Sequence, residues 1–298
     1  MEYSKIRITA DRAIKIAFEI FNIQGSAKPL PGEIDFNFKI DTADGQQYIL
    51  KVSRPDQNED YLDFQQKLLL YASEHAKDLT SPHVIPDRQG KLISEIKDDF
   101  GQIRKVRLLS WISGRVWSGV NPQLEGLRYS LGEQCGKLTR ALQGFHHPEA
   151  HREFVWDVAQ GDWTTAHLQL LDDGQKEIVS YFQNRFKQSQ SGYFQLRKAV
   201  VHNDANDNNV IVSEALIDPK VVSAIDFGDA VYTQIINDLA IACAYAVMGH
   251  NDPLEAALPI VKGYHHSFPL KENELEHLYM AIAMRLVISV TKSAINKK

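Results

Sequence analysis

The pattern of apolar and polar positions divides the chain into two regions, and the first region is extended. Phe36, Phe38 and Ile40 alternate with polar residues, "DTADGQQ" supplies an Asp-Gly turn, and "YILKVS" resumes the alternation. Two alternating runs around an Asp-Gly turn are typical of a β-hairpin. "GKLISEI" and "QIRKVRLLSWI" predict further strands, and "EDYLDFQQKLLLYASEHA" predicts a helix. Residues 1–109 are therefore expected to form a β-rich N-terminal domain.

The pattern becomes helical after Pro122. "LEGLRYSLGEQCGKLTRALQGF", "QKEIVSYFQNRFKQS" and the segments beyond residue 234 repeat apolar residues at helical spacing. Extended patterns return only at 199–227, where "AVVHND", "NVIVSEA" and "KVVSAIDFGD" predict a small hairpin with polar residues at its ends. We expect an α+β fold in which an extended linker, 110–114, joins the first domain to an α-rich domain, 115–298. Such an arrangement favours a ligand site in a cleft between the domains.

Composition and charge exclude several classes of protein. The 298 residues are 44% hydrophobic and 24% charged, as in soluble globular proteins. The formal net charge of −5 provides no positive field for nucleic acid or an anionic membrane. The N-terminus lacks the features of a signal peptide, and no uninterrupted apolar run approaches the length of about 18 residues that a membrane span needs. We expect a cytoplasmic protein with reduced thiols at Cys135 and Cys243 and with neither a nucleic-acid nor a membrane partner.

The stretch "HNDANDNNVIV", residues 202–212, places carboxylate and carboxamide side chains directly before a β-branched apolar run. Asp204, Asn206 and Asn208 have the spacing of the first three ligands of an EF-hand calcium loop. Asn209 stands where that loop needs glycine, and Ala215 stands where it needs a bidentate glutamate. The missing glutamate excludes a calcium loop, because it would supply two of the ligand oxygens.

Three residues in this part of the chain are suited to phosphoryl transfer. Asp204 can accept a proton from a hydroxyl group, Asn209 offers an amide oxygen, and Asp226 offers a carboxylate at the end of a predicted strand. Mg²⁺ binds a few hard oxygen ligands and leaves positions for phosphate oxygens and water. The combination predicts a magnesium-dependent site in which a hydroxyl group attacks a phosphate.

These motifs resemble those of the aminoglycoside phosphotransferase and choline kinase-like superfamily, which is related to the protein kinases. "HNDANDNN" matches the catalytic loop H-x-D-x-x-x-x-N, "IDFGD" matches the D-F-G-like metal-binding motif, and "YILKVS" matches the strand that carries the phosphate-binding lysine. The resemblance implies a two-lobed protein kinase-like fold with Asp204 as catalytic base and Asn209 and Asp226 as Mg²⁺ ligands. It also implies that Lys51 holds the phosphates of ATP or GTP, and that Asp229 is a nearby acidic residue.

Two parts of the kinase pattern differ in this chain. No G-x-G-x-x-G precedes Lys51, and "LPGEIDFNF" holds the equivalent place, with Gly32 and Asn37 as candidates for phosphate contacts. The predicted helix lacks the glutamate that usually pairs with the lysine. The residues that could orient Lys51 instead are Glu59, Asp63, Gln65 and Gln66.

A finer resemblance connects the chain to hydroxylysine kinases and to the kinase domains fused to class III aminotransferases. It rests on "VRLLSWISG", "LGEQCGKLTRALQGFHHPEAHREFVWD" and "NDLAIACAYAVMG". By this analogy the backbone of Ser110, Trp111 and Ile112 binds the nucleotide base, and Trp156 and Asp157 lie toward the acceptor pocket. The final segment "MRLVISVTKSAINKK" resembles a helix that continues toward further domains in the fused relatives, so we expect either a free-standing kinase domain or one part of a longer protein.

Several polar residues have simpler interpretations. His146, His147 and His151 could suggest zinc, but Pro148 disturbs their alignment and no further ligand set accompanies them, which favours surface or capping roles. His202 is expected to be structural. The remaining candidates are Asp238 as a helix N-cap that supports the catalytic loop, and Asp157, Asp207 and Asp229 as acidic residues that attract an ammonium group.

The leading hypothesis is a kinase that phosphorylates a hydroxyl group of a small amine-bearing metabolite, with hydroxylysine as the best candidate. Aminoglycoside, choline and homoserine kinases are alternatives of the same class, because the motifs encode the donor chemistry and not the acceptor. The missing glutamate motivates an alternative of another class, a nucleotide-binding regulatory module without turnover.

Overall fold

The computed structural model describes residues 8–32 and 35–297. Residues 1–7, and residues 33 and 34 within "LPGEIDFNF", lie outside the described residues. The chain divides into two compact units, the first with residues up to 70 and 82–112, the second with residues 71–81 and 113–298. The change of unit after Ile112 falls inside the predicted linker. The grouping of residues 71–81 with the second unit is a feature that no local pattern indicated.

The first unit contains one antiparallel sheet. Its strands are β1 (Gly25–Leu30), β2 (Phe36–Thr42), β3 (Gln47–Val52), β4 (Val84–Ile85), β5 (Ser94–Lys97) and β6 (Ile103–Ser110). They run in the order β1-β2-β3-β6-β4, and β5 also pairs with β6. The predicted hairpin consists of β2 and β3, and its turn places Gly45 at φ 82°, where glycine meets no steric cost. The helices of this unit are α1 (Ala10–Phe21) and α2 (Glu59–His75), of which the residues from 71 onward belong to the second unit.

Alternation along these strands directs one face of the sheet into a core. Phe38, Ile40, Leu50 and Leu108 are buried together with Ile16 of α1. Burial of each such side chain contributes roughly 1.5–3 kcal/mol to folding. The alternate positions of β2, β3 and β6 point to the other face, and they include Asn37, Lys51 and Arg107.

The second unit is mainly helical and carries two small sheets. Its strands are β7 (Arg115–Val116), β8 (Lys198–Val201), β9 (Val210–Val212), β10 (Val221–Ala224) and β11 (Val231–Gln234). β9 lies between β7 and β10, and β8 pairs with β11. The predicted hairpin is therefore β9 and β10, while β8 joins a later strand. The helices of this unit are α3 (Glu125–Ala141), a 3₁₀ helix (Val158–Leu170), α4 (Asp173–Tyr193), α5 (Ile236–Ala246), α6 (Pro253–Ser267) and α7 (Glu272–Asn296).

Helices α3 and α6 approach each other closely through glycines. A Cβ atom on Gly132 would overlap the carbonyl oxygen of Ile260 and lie 2.7 Å from the backbone nitrogen of Tyr264. A Cβ atom on Gly263 would likewise overlap the carbonyl oxygen of Tyr129. Glycine at these positions lets the two backbones touch, which fixes the distance between the helices.

By length and composition alone, α7 could cross a membrane, and it is the one helix within 8–32 and 35–297 for which this holds. Arg285 and Lys292 interrupt its apolar sequence, so the helix is not an uninterrupted apolar run. Its buried residues join the core of the second unit, and these include Leu278, Ala281, Met284, Val287 and Ile288. The helix is therefore packed as a core helix of this unit.

Candidate active site

The three predicted catalytic residues come together from two turns of the second unit. Asp204 and Asn209 lie between β8 and β9, and Asp226 follows β10. Asn209 Nδ2 donates a hydrogen bond to Asp204 Oδ2 at 2.6 Å, and the Asn209 carbonyl accepts one from the Ile225 backbone nitrogen at 2.8 Å. Because Ile225 directly precedes Asp226, this backbone bond holds the two turns side by side.

The backbone at both turns adopts an uncommon conformation. Asn203 has φ 63°, and Asp226 has φ 61° and ψ 82°. Asparagine and aspartate enter this left-handed region more readily than other residues with a Cβ atom. Such conformations persist only where the surrounding structure holds them, and they cluster at functional sites.

A buried carboxylate holds the start of the catalytic loop. Asp238 accepts hydrogen bonds from the backbone nitrogens of His202, at 3.2 Å, and Asn203, at 2.7 Å. Burial raises the pKa of Asp238 to about 6, although the two backbone donors favour its ionised form. α5 begins at Ile236, so Asp238 lies in its first turn and not at the N-cap. The N-cap prediction was wrong, while the support of the loop is present in the geometry.

His202 is a neutral structural residue of this loop. Its Nδ1 lies 3.2 Å from the Asp204 backbone nitrogen and its Nε2 lies 3.1 Å from the Ile225 carbonyl oxygen. The first contact needs a bare Nδ1 and the second needs a proton on Nε2, which defines one neutral tautomer. Complete burial lowers the pKa of His202 to about 4, and the ring packs edge-on against Phe227.

The environment of Asp204 suits proton transfer near neutral pH. Burial is the largest cause that raises its pKa, to about 7, and the negative charges of Asp229 and Asp226 raise it further. Arg285 and a hydrogen bond from Asn206 act in the opposite direction. A base is most effective when its pKa lies near the working pH.

The donor set at this site fits a divalent cation. Asn209 Nδ2 is used by Asp204, which leaves Oδ1 as the amide atom that could bind a metal. Asp226 adds a carboxylate, and its charge contributes to the raised pKa of Asp204. Negative charge concentrated on hard oxygen atoms is the environment that Mg²⁺ favours.

Arg285 is a residue of the site that sequence reasoning missed. It lies on α7, far along the chain from the catalytic loop, and its Nη2 donates to Asp204 Oδ1 at 2.9 Å. Its Nη1 donates to the Trp156 carbonyl oxygen at 2.8 Å. An arginine in an apolar helix could have been noted as a buried cation in need of a partner, but nothing local identifies that partner.

The two residues expected near the acceptor have different surroundings. The partly buried ring of Trp156 packs beside the Arg285 guanidinium, which adjoins Asp204. Asp157 is 1% exposed, and its carboxylate accepts hydrogen bonds from Thr233 at 2.8 Å and Gln160 at 3.0 Å. Burial raises the pKa of Asp157. The expected place of Asp157 in an acceptor pocket is therefore corrected, because its oxygens are turned inward and bound by protein groups.

The other polar residues of the loop divide into turn formers and acidic neighbours. Asn206 Oδ1 accepts from the backbone nitrogens of Asn208, at 2.8 Å, and Asn209, at 3.2 Å, which closes the turn. Asp207 is partly exposed, and its carbonyl accepts from the Ser118 backbone nitrogen at 2.9 Å. Asp229, also partly exposed, lies near enough to Asp204 to raise its pKa.

In the first unit, Lys51 occupies the middle of a cross-strand row. It is directly opposite Asn37 of β2 on one side and Arg107 of β6 on the other. Arg107 is 2% exposed, and it pairs with Asp35 and donates to Gln65 Oε1 at 2.6 Å. The guanidinium therefore links the segment before β2 to α2, and Gln65 is used in that link.

Two other candidates to orient Lys51 have partners elsewhere. Gln66 Nε2 donates to the Leu92 carbonyl oxygen at 3.0 Å, and Glu59 pairs with Lys105. Asp63, the remaining candidate, pairs with Lys67 at 2.6 Å.

The predicted linker residues are partly bound within the sheet. Ser110 donates its backbone nitrogen to the His83 carbonyl at 2.9 Å, and Trp111 donates its own to the Gln47 carbonyl at 3.0 Å. Because both amides are occupied, contacts with a nucleotide base would be made by Ile112 and by carbonyl oxygens.

The histidines near Pro148 have local partners. His147 Nδ1 accepts from the Glu149 backbone nitrogen at 3.2 Å, which is a capping role, and the His151 ring lies 4.5 Å from that of Tyr232. In the part of the chain that the structure describes, no group of three or more His, Cys, Asp or Glu side chains could hold a metal ion.

The sequence of this chain is similar to those of known proteins over most of its length. A sequence profile described as "Phosphotransferase enzyme family" matches residues 26–275. The chain is 25% identical to hydroxylysine kinase of Danio rerio over 302 residues, which covers 96% of this chain and 84% of that protein. It is 26% identical to hydroxylysine kinase of Mus musculus over 300 residues, with 93% and 78% covered.

Solved structures share the fold at lower sequence identity. An amicoumacin kinase in complex with AMP-PNP, Ca²⁺ and Ami has a TM-score of 0.75 at 18% identity, and the match covers 97% of this chain and 87% of the kinase chain. A microcompartment-associated aminopropanol kinase has a TM-score of 0.69 at 18% identity, with 93% of both chains covered. The expected kinase-like α+β fold is confirmed. Because the profile spans most of its length, this chain belongs to the phosphotransferase enzyme family.

Proposed function

We propose that this protein is a small-molecule kinase that transfers the γ-phosphoryl group of ATP or GTP to a hydroxyl group of an amine-bearing metabolite. The observation that carries the proposal is the cluster of Asp204, Asn209 and Asp226 in two hydrogen-bonded turns. The catalytic trio is complete, which favours an enzyme over a regulatory module that only binds nucleotide.

Each residue of the trio has one task in the proposed reaction. Asp204 accepts the hydroxyl proton while the acceptor oxygen forms a bond to the γ-phosphorus. The bond from that phosphorus to the β–γ bridging oxygen breaks, and the departing nucleoside diphosphate keeps the electron pair. Asn209 Oδ1 and the Asp226 carboxylate would hold Mg²⁺, which neutralises phosphate charge when bound.

The first unit would supply the nucleotide contacts. Lys51 would bind the α- and β-phosphates, and Asn37, opposite it on the neighbouring strand, would add a polar contact. The backbone around Ile112 would bind the purine base. ATP and GTP both remain candidate donors, since the location of backbone contacts at the linker does not reveal which purine is preferred.

Hydroxylysine is the acceptor that we favour, because two hydroxylysine kinases align with nearly the whole chain. Asp229 and Asp207 would attract its ammonium groups, and Trp156 would form an apolar wall. Aminoglycosides, choline and homoserine are the alternative acceptors. A reducing cytoplasm would supply the nucleotide and suit the free, buried thiols of Cys135 and Cys243.

A panel of hydroxylated amines tests the proposal with ATP and with GTP. Phosphorylated product is measured by mass spectrometry and nucleoside diphosphate by a coupled assay. We expect product with hydroxylysine, and we expect Asp204→Asn to lower kcat by roughly 10²-fold or more, as for loss of a general base. Asp218→Asn, the same change on a side chain that is 71% exposed, is the control and should leave kcat unchanged. Nucleotide binding without any phosphorylated product would instead support the regulatory module.

A further inference from the structure

Arg285 is a buried charge whose contacts include the proposed catalytic base. The residue is 1% exposed, and its guanidinium donates to Asp204 Oδ1 at 2.9 Å and to the Trp156 carbonyl oxygen at 2.8 Å. A buried cation is stable only where it is paired and hydrogen-bonded. In this structure, the side chain that pairs with Arg285 is Asp204.

Two aromatic rings restrain the orientation of this guanidinium. Its Cζ atom lies 4.9 Å from the ring centroid of Trp156 and 5.6 Å from that of Tyr245. The Tyr245 hydroxyl is itself fixed by Ser289 Oγ at 2.9 Å. Trp156, Tyr245 and Arg285 come from three separate segments of the second unit, so the guanidinium is held from several directions and not by one flexible contact.

The hydrogen bonds on Asp204 leave one of its two carboxylate oxygens more open than the other. Oδ1 accepts from Arg285 at 2.9 Å and from Asn206 Nδ2 at 2.9 Å. Oδ2 accepts one side-chain hydrogen bond, from Asn209 at 2.6 Å. A carboxylate oxygen has about two acceptor positions. Oδ1 is therefore filled by protein donors, and Oδ2 keeps a position for one more donor.

We propose that Arg285 is a positioning residue: together with Asn206 it occupies Oδ1, so that the acceptor hydroxyl binds to Asp204 through Oδ2. Arg285 acts through Asp204 and does not touch the transferred phosphoryl group. The inference rests on the proposed function, because it assigns the oxygen that receives the hydroxyl proton in that reaction.

The contacts at this position suit arginine better than lysine. One guanidinium nitrogen is used by Trp156 and another by Asp204, while the planar group packs beside two rings. A lysine ammonium would keep the charge but lose the planar fork and the stacking. Arg285→Lys therefore separates the effect of charge from the effect of orientation.

The experiment compares the full-length wild type with Arg285→Lys, Arg285→Ala, Asp204→Asn and the double variant Arg285→Ala/Asp204→Asn. Arg197→Ala is the matched control, because Arg197 also pairs with a buried carboxylate, that of Glu274, and packs beside Phe268. For each chain, kcat, the two KM values and the melting temperature are measured. Arg285→Ala is also assayed with added guanidinium ion at millimolar, non-denaturing concentration.

We expect Arg285→Ala to lower kcat by roughly 30-fold or more while the nucleotide KM changes by less than about threefold. Arg285→Lys should recover part of the loss, and added guanidinium should raise kcat of the alanine variant. The double variant should be no slower than Asp204→Asn, because the arginine acts through the aspartate. The Arg197→Ala control should melt at lower temperature with kcat within about threefold of wild type.

The inference would be overturned by folded Arg285→Ala chains that keep kcat within about threefold of wild type, or by a loss no larger than that of Arg197→Ala. The melting temperatures decide the pairing independently of turnover. If Arg285 pairs with Asp204, the change Asp204→Asn restores part of the melting temperature lost in Arg285→Ala; additive losses contradict the pairing. A wild-type chain that forms no phosphorylated product refutes the proposed function, and the melting data still decide the ion pair.

Discussion

The stability of the protein should depend on pH through His202. This side chain is fully buried, with its Nδ1 accepting from the Asp204 backbone and its Nε2 donating to the Ile225 carbonyl. Its pKa is lowered from 6.5 to about 4 by burial. As the pH falls below about 6.5, the unfolded chain binds a proton at this histidine while the folded chain does not, so the free energy of unfolding decreases.

The size of this effect follows from the two pKa values. A difference from 6.5 to about 4 corresponds to about 3 kcal/mol, at about 1.4 kcal/mol per pH unit. At pH 5 the free energy of unfolding should already be lower by about 2 kcal/mol, since the His202 ring of the folded chain is still neutral at that pH. The stabilising contribution is thus fully present above pH 6.5 and disappears as the pH approaches 4.

The assay is urea unfolding, followed by tryptophan fluorescence at pH 7, 6 and 5. His202→Asn keeps an acceptor near the Nδ1 position and removes the titrating ring. We expect this variant to have a lower free energy of unfolding than wild type at pH 7. Between pH 7 and 5, its free energy of unfolding should fall by about 2 kcal/mol less than that of wild type. His266→Asn, at an exposed histidine, should follow the wild type. Asp238, with its pKa raised to about 6, acts in the opposite direction in all three chains, so the difference between chains is the informative quantity. Parallel loss in wild type and His202→Asn would refute the assignment of a buried neutral histidine.

Three further predictions concern helix packing, the metal and the first unit. In urea unfolding, Gly132→Ala should lower the free energy of unfolding by roughly 1–3 kcal/mol, because the new Cβ atom overlaps the α6 backbone. Gly126→Ala on the same helix is the control, and it should raise the free energy of unfolding by roughly a few tenths to 1 kcal/mol. Asp226→Asn should raise the Mg²⁺ concentration needed for half-maximal turnover, and a chelator should abolish turnover of the wild type; an unchanged Mg²⁺ titration would contradict its role as a ligand. Arg107→Gln should lower the free energy of unfolding by about 3 kcal/mol, because it leaves the Asp35 carboxylate unpaired. In thermal unfolding, the double variant with Asp35→Asn should recover part of that loss.

Much of the site was predictable because its signals are local. The Asp-Gly turn between β2 and β3 needs only a few neighbouring residues to form, and it places Lys51 on a strand opposite Asn37. The five-residue step from Asp204 to Asn209 spans a single turn, so hydrogen bonding within that turn brings the two side chains together. Local geometry of this kind depends little on the rest of the fold.

Other features differ from the expectations because burial is decided by distant elements. Asp157 carries the same carboxylate as Asp229, but β11 and α5 supply Thr233 and Asn237, which turn it inward. Asp238 precedes an apolar helical run and resembles an N-cap, yet α5 begins before it, and its carboxylate reaches the backbone of the catalytic loop. Neither outcome is visible in the residues adjacent to these positions.

The sequence alone determined the α+β class, the hairpin that carries Lys51, and the phosphoryl-transfer motifs around Asp204 and Asp226, because each depends on residues close together in the chain. The tertiary structure decided which polar groups meet across long separations. Arg285 is the clearest case, since α7 must pack in the second unit before its guanidinium can reach Asp204. A buried charge needs a partner, but the identity of that partner depends on how helices distant in sequence pack against one another.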